Sequence, residues 1–190
     1  MIDLGAAAAG LTGAWRLARL DRGGMRYFDA TEEGFWRSFQ AALIAAPLYA
    51  ALVLLRPEDQ PLSSDPLRAV LVESIGYVIR WTAFPLAAWY LARAFDCGGR
   101  YFGFIVAYNW AQVLQLIIAV PVAVLAASSM APSSAVNVVA LAVTCAVLYY
   151  EYFIARSALV IDALPALAFV AADVVIGLIL DYVEASLQMQ

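Results

Sequence analysis

The chain has 190 residues, 65% hydrophobic and 14% charged, whereas soluble domains run about 45–50% apolar and about 25% charged. That composition excludes an ordinary soluble domain or a nucleic-acid-binding module and places the chain among integral membrane proteins. Histidine is absent, cysteine is limited to Cys97 and Cys145, and the net charge is −4, so His-based zinc and haem sites, Ser-His-Asp triads and a disulfide framework are all disfavoured, and no cofactor or metal is expected.

All eleven basic residues are arginine, which together with abundant alanine fits the codon bias of a GC-rich genome. Residues 1–33 carry Leu4, Leu11, Trp15 and Ala18 at helical spacing, followed by Arg16, Arg19, Arg22 and Arg26. This pattern reads as a cytoplasmic amphipathic helix lying in the interface, arginines toward lipid phosphates, or as a positively charged leader that fixes orientation. Asp3 and the lack of a basic leader argue against a signal peptide.

Residues 34–190 form the second region, an all-α polytopic bundle. Five segments match the roughly 20 helical residues that cross a hydrocarbon layer of about 30 Å, over approximately 35–55, 67–95, 101–127, 135–156 and 160–184. The connections are a polar, proline-punctuated loop from Arg56 to Pro66 and two turns, Asp96 to Arg100 and Ser128 to Ser134. Arginines concentrate on the N-terminal side of the first span and on the turns at Arg93, Arg100 and Arg156. The positive-inside rule then puts the N-terminus in the cytoplasm and the C-terminus outside.

Pro47, Pro85, Pro121 and Pro165 fall within predicted spans, where modest kinks are expected and discontinuous helices around a substrate site are the alternative. Ala42, Ala46 and Ala50 in the first span, and Gly103, Ala107 and Ala111 in the third, form small-residue ladders suited to close helix approach.

Spans two to five each carry a polar stripe: Glu73, Tyr77 and Arg80; Asn109, Gln112 and Gln115; Asn137, Thr144 and Glu151; Asp162, Asp173 and Glu184. Members of each stripe share one helical face, and polar faces turn inward in lipid, so these stripes are expected to define the bundle interior. An arginine at the bilayer centre costs about 2.5–3.5 kcal/mol on insertion scales and needs a partner. Glu73 is seven residues away on the same helix, too far for an intrahelical pair. The predicted partner of Arg80 is therefore Asp173, with Gln112 or Gln115 completing its hydrogen bonds, while Glu73 opens unpaired toward the outer interface. The cluster of Arg80, Asp173, Gln112, Gln115, Asn109 and Glu73 reads either as a buried clasp fixing helix register or as a site for an ion, proton or polar headgroup. Tyr149-Tyr150-Glu151-Tyr152 reads as an interfacial aromatic belt or a cytoplasmic partner site.

Phe35-Trp36-Arg37-Ser38-Phe39 leading into an Ala/Pro-rich first span, Ala107-Tyr108-Asn109-Trp110-Ala111-Gln112 in the third, and the layout of an amphipathic N-terminus before five closely spaced helices resemble the Yip domain family of Ypt-interacting-protein-like membrane proteins, in its bacterial branch. The resemblance covers nearly the whole chain. It implies a five-span fold, a bacterial inner membrane and a non-enzymatic role. The Asp-Leu-Tyr-Gly-Pro-like N-terminal motif of the eukaryotic relatives is missing, so their trafficking role does not carry over.

Three functions follow as expectations. The leading one is a scaffold, membrane-organising component or accessory subunit, with lipids and other membrane subunits or further copies of itself as partners. The second is a small transporter or channel subunit whose path is lined by Arg80, Asp173, Glu73 and Gln115. An intramembrane enzyme is the weakest, since only carboxylates such as Glu151 remain as general bases.

Overall fold

The computed structural model describes residues 3–56, 62–128 and 132–189. The middles of two predicted connections, 57–61 and 129–131, lie outside the described residues. Among the described residues seven α-helices follow one another: α1 (Leu4–Ala18), α2 (Glu32–Ser38), α3 (Gln40–Leu54), α4 (Pro66–Ala94), α5 (Tyr101–Ala127), α6 (Ser133–Leu159) and α7 (Ala163–Gln188), with 3₁₀ turns at Arg22–Tyr27 and Gly98–Arg100. No strand occurs among the described residues. The fold is the expected all-α bundle, and five helical stretches are long and apolar enough to cross a membrane: Glu32–Leu54, Pro66–Ala94, Gly98–Ala127, Ser133–Leu159 and Ala163–Gln188.

Local chemistry sets where the helices begin and end. Asp3, Thr31 and Asp65 cap α1, α2 and α4 by accepting from the backbone N–H of Ala6, Gly34 and Leu67, which satisfies donors the helix itself cannot use. Pro66 occupies the first position of α4, where a missing N–H costs nothing. Pro47, Pro85 and Pro121 lie inside helices. Pro165 sits instead in the first turn of α7, where no kink is required, contrary to the expectation from sequence. Two helices close in the same way: the N–H of Asp21 bonds Arg16 O at 3.0 Å and that of Cys97 bonds Ala92 O at 2.8 Å, a Schellman pairing that puts the preceding residue in the left-handed region. Those residues are Leu20 (φ 60°) and Asp96 (φ 52°) rather than glycines.

Helix α5 is the hub. Every residue from Gly103 to Ala111 is buried, and α1, α2, α3, α4 and α6 all pack on it. A helix buried all round belongs at the centre of a bundle. Around it, α6 packs on α7 and α7 on α4, leaving a space between α4, α5, α6 and α7. Gly103, Ala107 and Ala111 are buried as a small-residue ladder should be. In α3 the fully buried alanines are Ala41 and Ala45, one residue off the predicted Ala42, Ala46 and Ala50. One residue is 100° of helix rotation, enough to turn a ladder from a packed face to its flank.

Helix α1 docks through Ala7, Gly10, Gly13, Ala14 and Leu17. Gly10 lies under the Trp110 indole, where any Cβ would overlap the ring, and the Tyr150 hydroxyl donates to Ala14 O at 2.7 Å. The helix therefore buries its small residues against the bundle. Of the face predicted as the apolar one, Leu4, Trp15 and Ala18 are left outward, with Leu4 79% and Trp15 57% exposed, while Leu11 is partly buried against the core. Close backbone approach has outweighed side-chain size in choosing the docked face.

Candidate functional site

Two groups of polar side chains lie among the spans. The first joins α3, α4 and α7 near the outer ends predicted for those helices. Glu73 is only 8% exposed. Arg56 holds its carboxylate at 2.8 Å, the Tyr49 hydroxyl donates to it at 2.9 Å and the Gln188 amide at 3.1 Å. Gln188 in turn accepts from the backbone N–H of Ser63 at 3.0 Å. Two turns further along, Arg80 donates to Asp181 at 2.6 Å and to Glu184 at 2.7 Å. Gly76 makes the approach possible, because the Glu184 carboxylate lies where its Cβ would be.

These contacts correct two expectations. Glu73 is paired on both oxygens rather than open to the interface. Arg80 pairs with Asp181 and Glu184 rather than with Asp173, and neither Gln112 nor Gln115 completes its bonds. The reason is antiparallel register. Residue 73 meets residue 188 and residue 80 meets residue 181, so Asp173 is eight residues beyond the position opposite Arg80, or about 12 Å along the axis. Glu73, Gly76 and Arg80 form one face of α4, and Asp181, Glu184 and Gln188 one face of α7, with matching steps of three and four. That complementary spacing was present in the sequence; the eleven-residue stripe through Asp162, Asp173 and Glu184 obscured it.

The second group surrounds a cavity of about 230 Å³ between α4, α5, α6 and α7, large enough for several water molecules. Arg80, Gln112, Gln115 and Asp173 all line it, as does Glu151. The Tyr108 hydroxyl donates to Asp173 Oδ1 at 2.7 Å and the Gln115 amide to Glu151 Oε1 at 3.1 Å. The Glu151 and Asp173 carboxyls are within hydrogen-bonding reach of each other. Glu151 is 7% exposed, and its Oε2 is buried without a hydrogen-bond partner among the described residues. Tyr49 and Tyr77 line the cavity as well. Arg80 is matched by two carboxylates through Nη2; among the described residues its Nε is buried without a hydrogen-bond partner and no other cation lines the cavity.

Four stripe residues fall elsewhere. Asn109 is fully buried but bonds Ser38 at 2.8 Å on the α2 side of α5, away from the cavity. On α6, Asn137 and Thr144 face outward, and Thr144 satisfies its hydroxyl on Ala140 O of its own helix; only Glu151 of that stripe turns inward. Asp162 is exposed at the start of α7. The tyrosine tetrad also divides, with Tyr149 55% exposed and Tyr150 buried against α1.

Of the predicted interfacial arginines, Arg16 bonds Asp21 through Nε at 2.7 Å, Arg22 lies over the Phe153 ring, Arg26 donates to Gly23 O, and Arg19 is exposed. The Arg16 hydrogen bond and the Gly23 N–H hold the Asp21 carboxyl below the usual carboxylate range, and Arg16 rises correspondingly. At the turn between α4 and α5, burial pushes the Cys97 thiol up, which makes it a poor nucleophile. No group of three or more metal-ligating side chains occurs among the described residues. No protein-family model, curated protein or solved structure matches this chain.

Proposed function

We propose that this chain is a non-enzymatic, multi-pass protein of a bacterial inner membrane, with a cytoplasmic N-terminus and an external C-terminus, acting as a small transporter or channel subunit for a cationic or polar species. The observation that carries this reading is the cavity among the membrane-length helices, with two carboxyls and two glutamines on its wall and, among the described residues, no lining cation other than the salt-bridged Arg80. Intramembrane ionisable groups around an aqueous cavity commonly mark ion and proton pathways. Reconstituted protein is expected to pass protons or monovalent cations, and Glu151→Gln is expected to lower that flux at least tenfold. Equal flux from wild type, Glu151→Gln and empty liposomes would end this reading.

A second reading, as a scaffold or accessory subunit with the Yip-like layout, is favoured by the outward Leu4 and Trp15 of the docked N-terminal helix, which suit a lipid or subunit contact. Native mass spectrometry from mild detergent separates the two. Retained partner subunits with no flux support the scaffold, and flux from the chain alone or its homo-oligomer supports the transporter.

A further inference from the structure

We infer that Glu151 and Asp173 together hold a single proton, which makes this carboxyl pair the proton-binding site of the cavity. The inference rests on the transporter reading for its use, but not for its geometry. Two of the four carboxyl oxygens have neutral donors that do not settle the charge: Asp173 Oδ1 accepts from Tyr108 and Glu151 Oε1 accepts from Gln115. Glu151 Oε2 is buried without a donor among the described residues. Two ionised carboxylates in contact at low dielectric repel each other, and a buried acceptor without a donor adds a desolvation cost. A proton taken from cavity water onto Glu151 Oε2 removes both problems in one step. The O–H bond that forms gives Oε2 a donor directed at Asp173, the pair then carries one negative charge, and the water is left as hydroxide to be neutralised by solvent buffer.

The groups facing the pair from neighbouring helices leave this as the neutralising route. From α5 come Tyr108 and the uncharged Gln112 and Gln115; from α4 come Tyr77 and Arg80; from α3 comes Tyr49. Arg80 is the only cation among these; its Nη2 is held by Asp181 and Glu184, while its Nε is buried without a hydrogen-bond partner among the described residues. Tyr150, next to Glu151 in sequence, points away to Ala14 O. From α1 and the 3₁₀ turn that follows it, no charged side chain lines the cavity; Arg22 lies over Phe153.

Infrared difference spectroscopy across a pH titration of the full chain in lipid nanodiscs tests this directly, because a protonated carboxyl has its own C=O stretch. At neutral pH the wild type is expected to show one buried carboxyl band. Glu151→Gln is expected to remove it, and Asp173→Asn to shift it as the acceptor changes. Tyr108→Phe, which leaves both carboxyls in place, is expected to move the band without abolishing it and keeps the test readable if an isosteric variant fails to fold. Absence of a neutral-pH carboxyl band, a band unchanged in both acidic-residue variants, or loss of the band on adding sodium chloride at constant pH would overturn the proton assignment, the last in favour of a sodium ion. The band reports protonation without transport: a band with no flux sinks the transporter reading alone, and flux with no band sinks the proton site alone.

Discussion

The clasp around Glu73 and Arg80 and the pair formed by Glu151 and Asp173 are built from the same residue types in the same four-helix neighbourhood, yet their charge is arranged in opposite ways. In the clasp every buried carboxylate has a guanidinium: Arg56 serves Glu73, and Arg80 serves Glu184 together with the more exposed Asp181. The pair has hydrogen-bond donors but no cation of its own, and it borders a cavity. A balanced cluster fixes which residue of α4 meets which residue of α7. An unbalanced one beside open volume has capacity left for something to bind.

That contrast can be broken by experiment. The largest effect is expected for Arg80→Met, which leaves Glu184 buried without a counter-charge and should cost about 3–5 kcal/mol in thermal or denaturant unfolding in detergent. Adding Glu184→Leu to that variant should recover most of the loss, since replacing both partners of a buried pair with apolar groups is often neutral. Gly76→Ala pushes a methyl group into the Glu184 carboxylate and is expected to cost about 1–3 kcal/mol in the same assay. Glu151→Gln should change stability by less than about 1 kcal/mol in either direction, because it removes no salt bridge and exchanges a neutral, protonated carboxyl for a neutral amide of similar shape. A loss from Glu151→Gln as large as that from Arg80→Met would mean that the two regions do not differ in kind.

Smaller effects belong to the N-terminal segment. Leu20→Gly is expected to stabilise by about 0.5–1 kcal/mol, because a left-handed C-terminal position penalises a residue with a Cβ. The smallest effect is set by pH. Asp21 has its folded-state carboxyl pKa lowered by Arg16 and Gly23, so its contribution is complete above the ordinary aspartate value of about 3.9 and fades as pH falls through the lower folded value. Trp15 emission should therefore hold constant from neutral pH down to about 4 and change only below it. The Asp21→Asn variant should lack that acid transition.

Much of the helix pattern was legible in the sequence and much of the site was not. Long apolar runs, Asp65-Pro66 at the start of α4 and the Asp96–Arg100 turn announce their elements through local chemistry alone. Asp173 was identified as a buried ionisable group and does line the cavity with Arg80, Gln112 and Gln115. Its partner was misassigned because depth counted from span ends does not fix the register of α4 against α7, and Asp173 lies eight residues, just over two turns, before Asp181. Glu151 shows the same limit from the other side. Its spacing grouped it with Asn137 and Thr144, which face outward, and nothing in its own helix singles out the residue that meets Tyr108 and Asp173.

The sequence by itself determined that five helices are long and apolar enough to cross a bilayer, because span length and hydropathy are properties of consecutive residues measured against a fixed hydrocarbon thickness. It also determined which ionisable groups those helices carry. Only the tertiary structure decided which of them meet, since that depends on the register and rotation of helices distant in the chain: Arg80 faces Asp181 and Glu184 across Gly76, while Glu151 and Asp173 are left facing each other with no cation of their own.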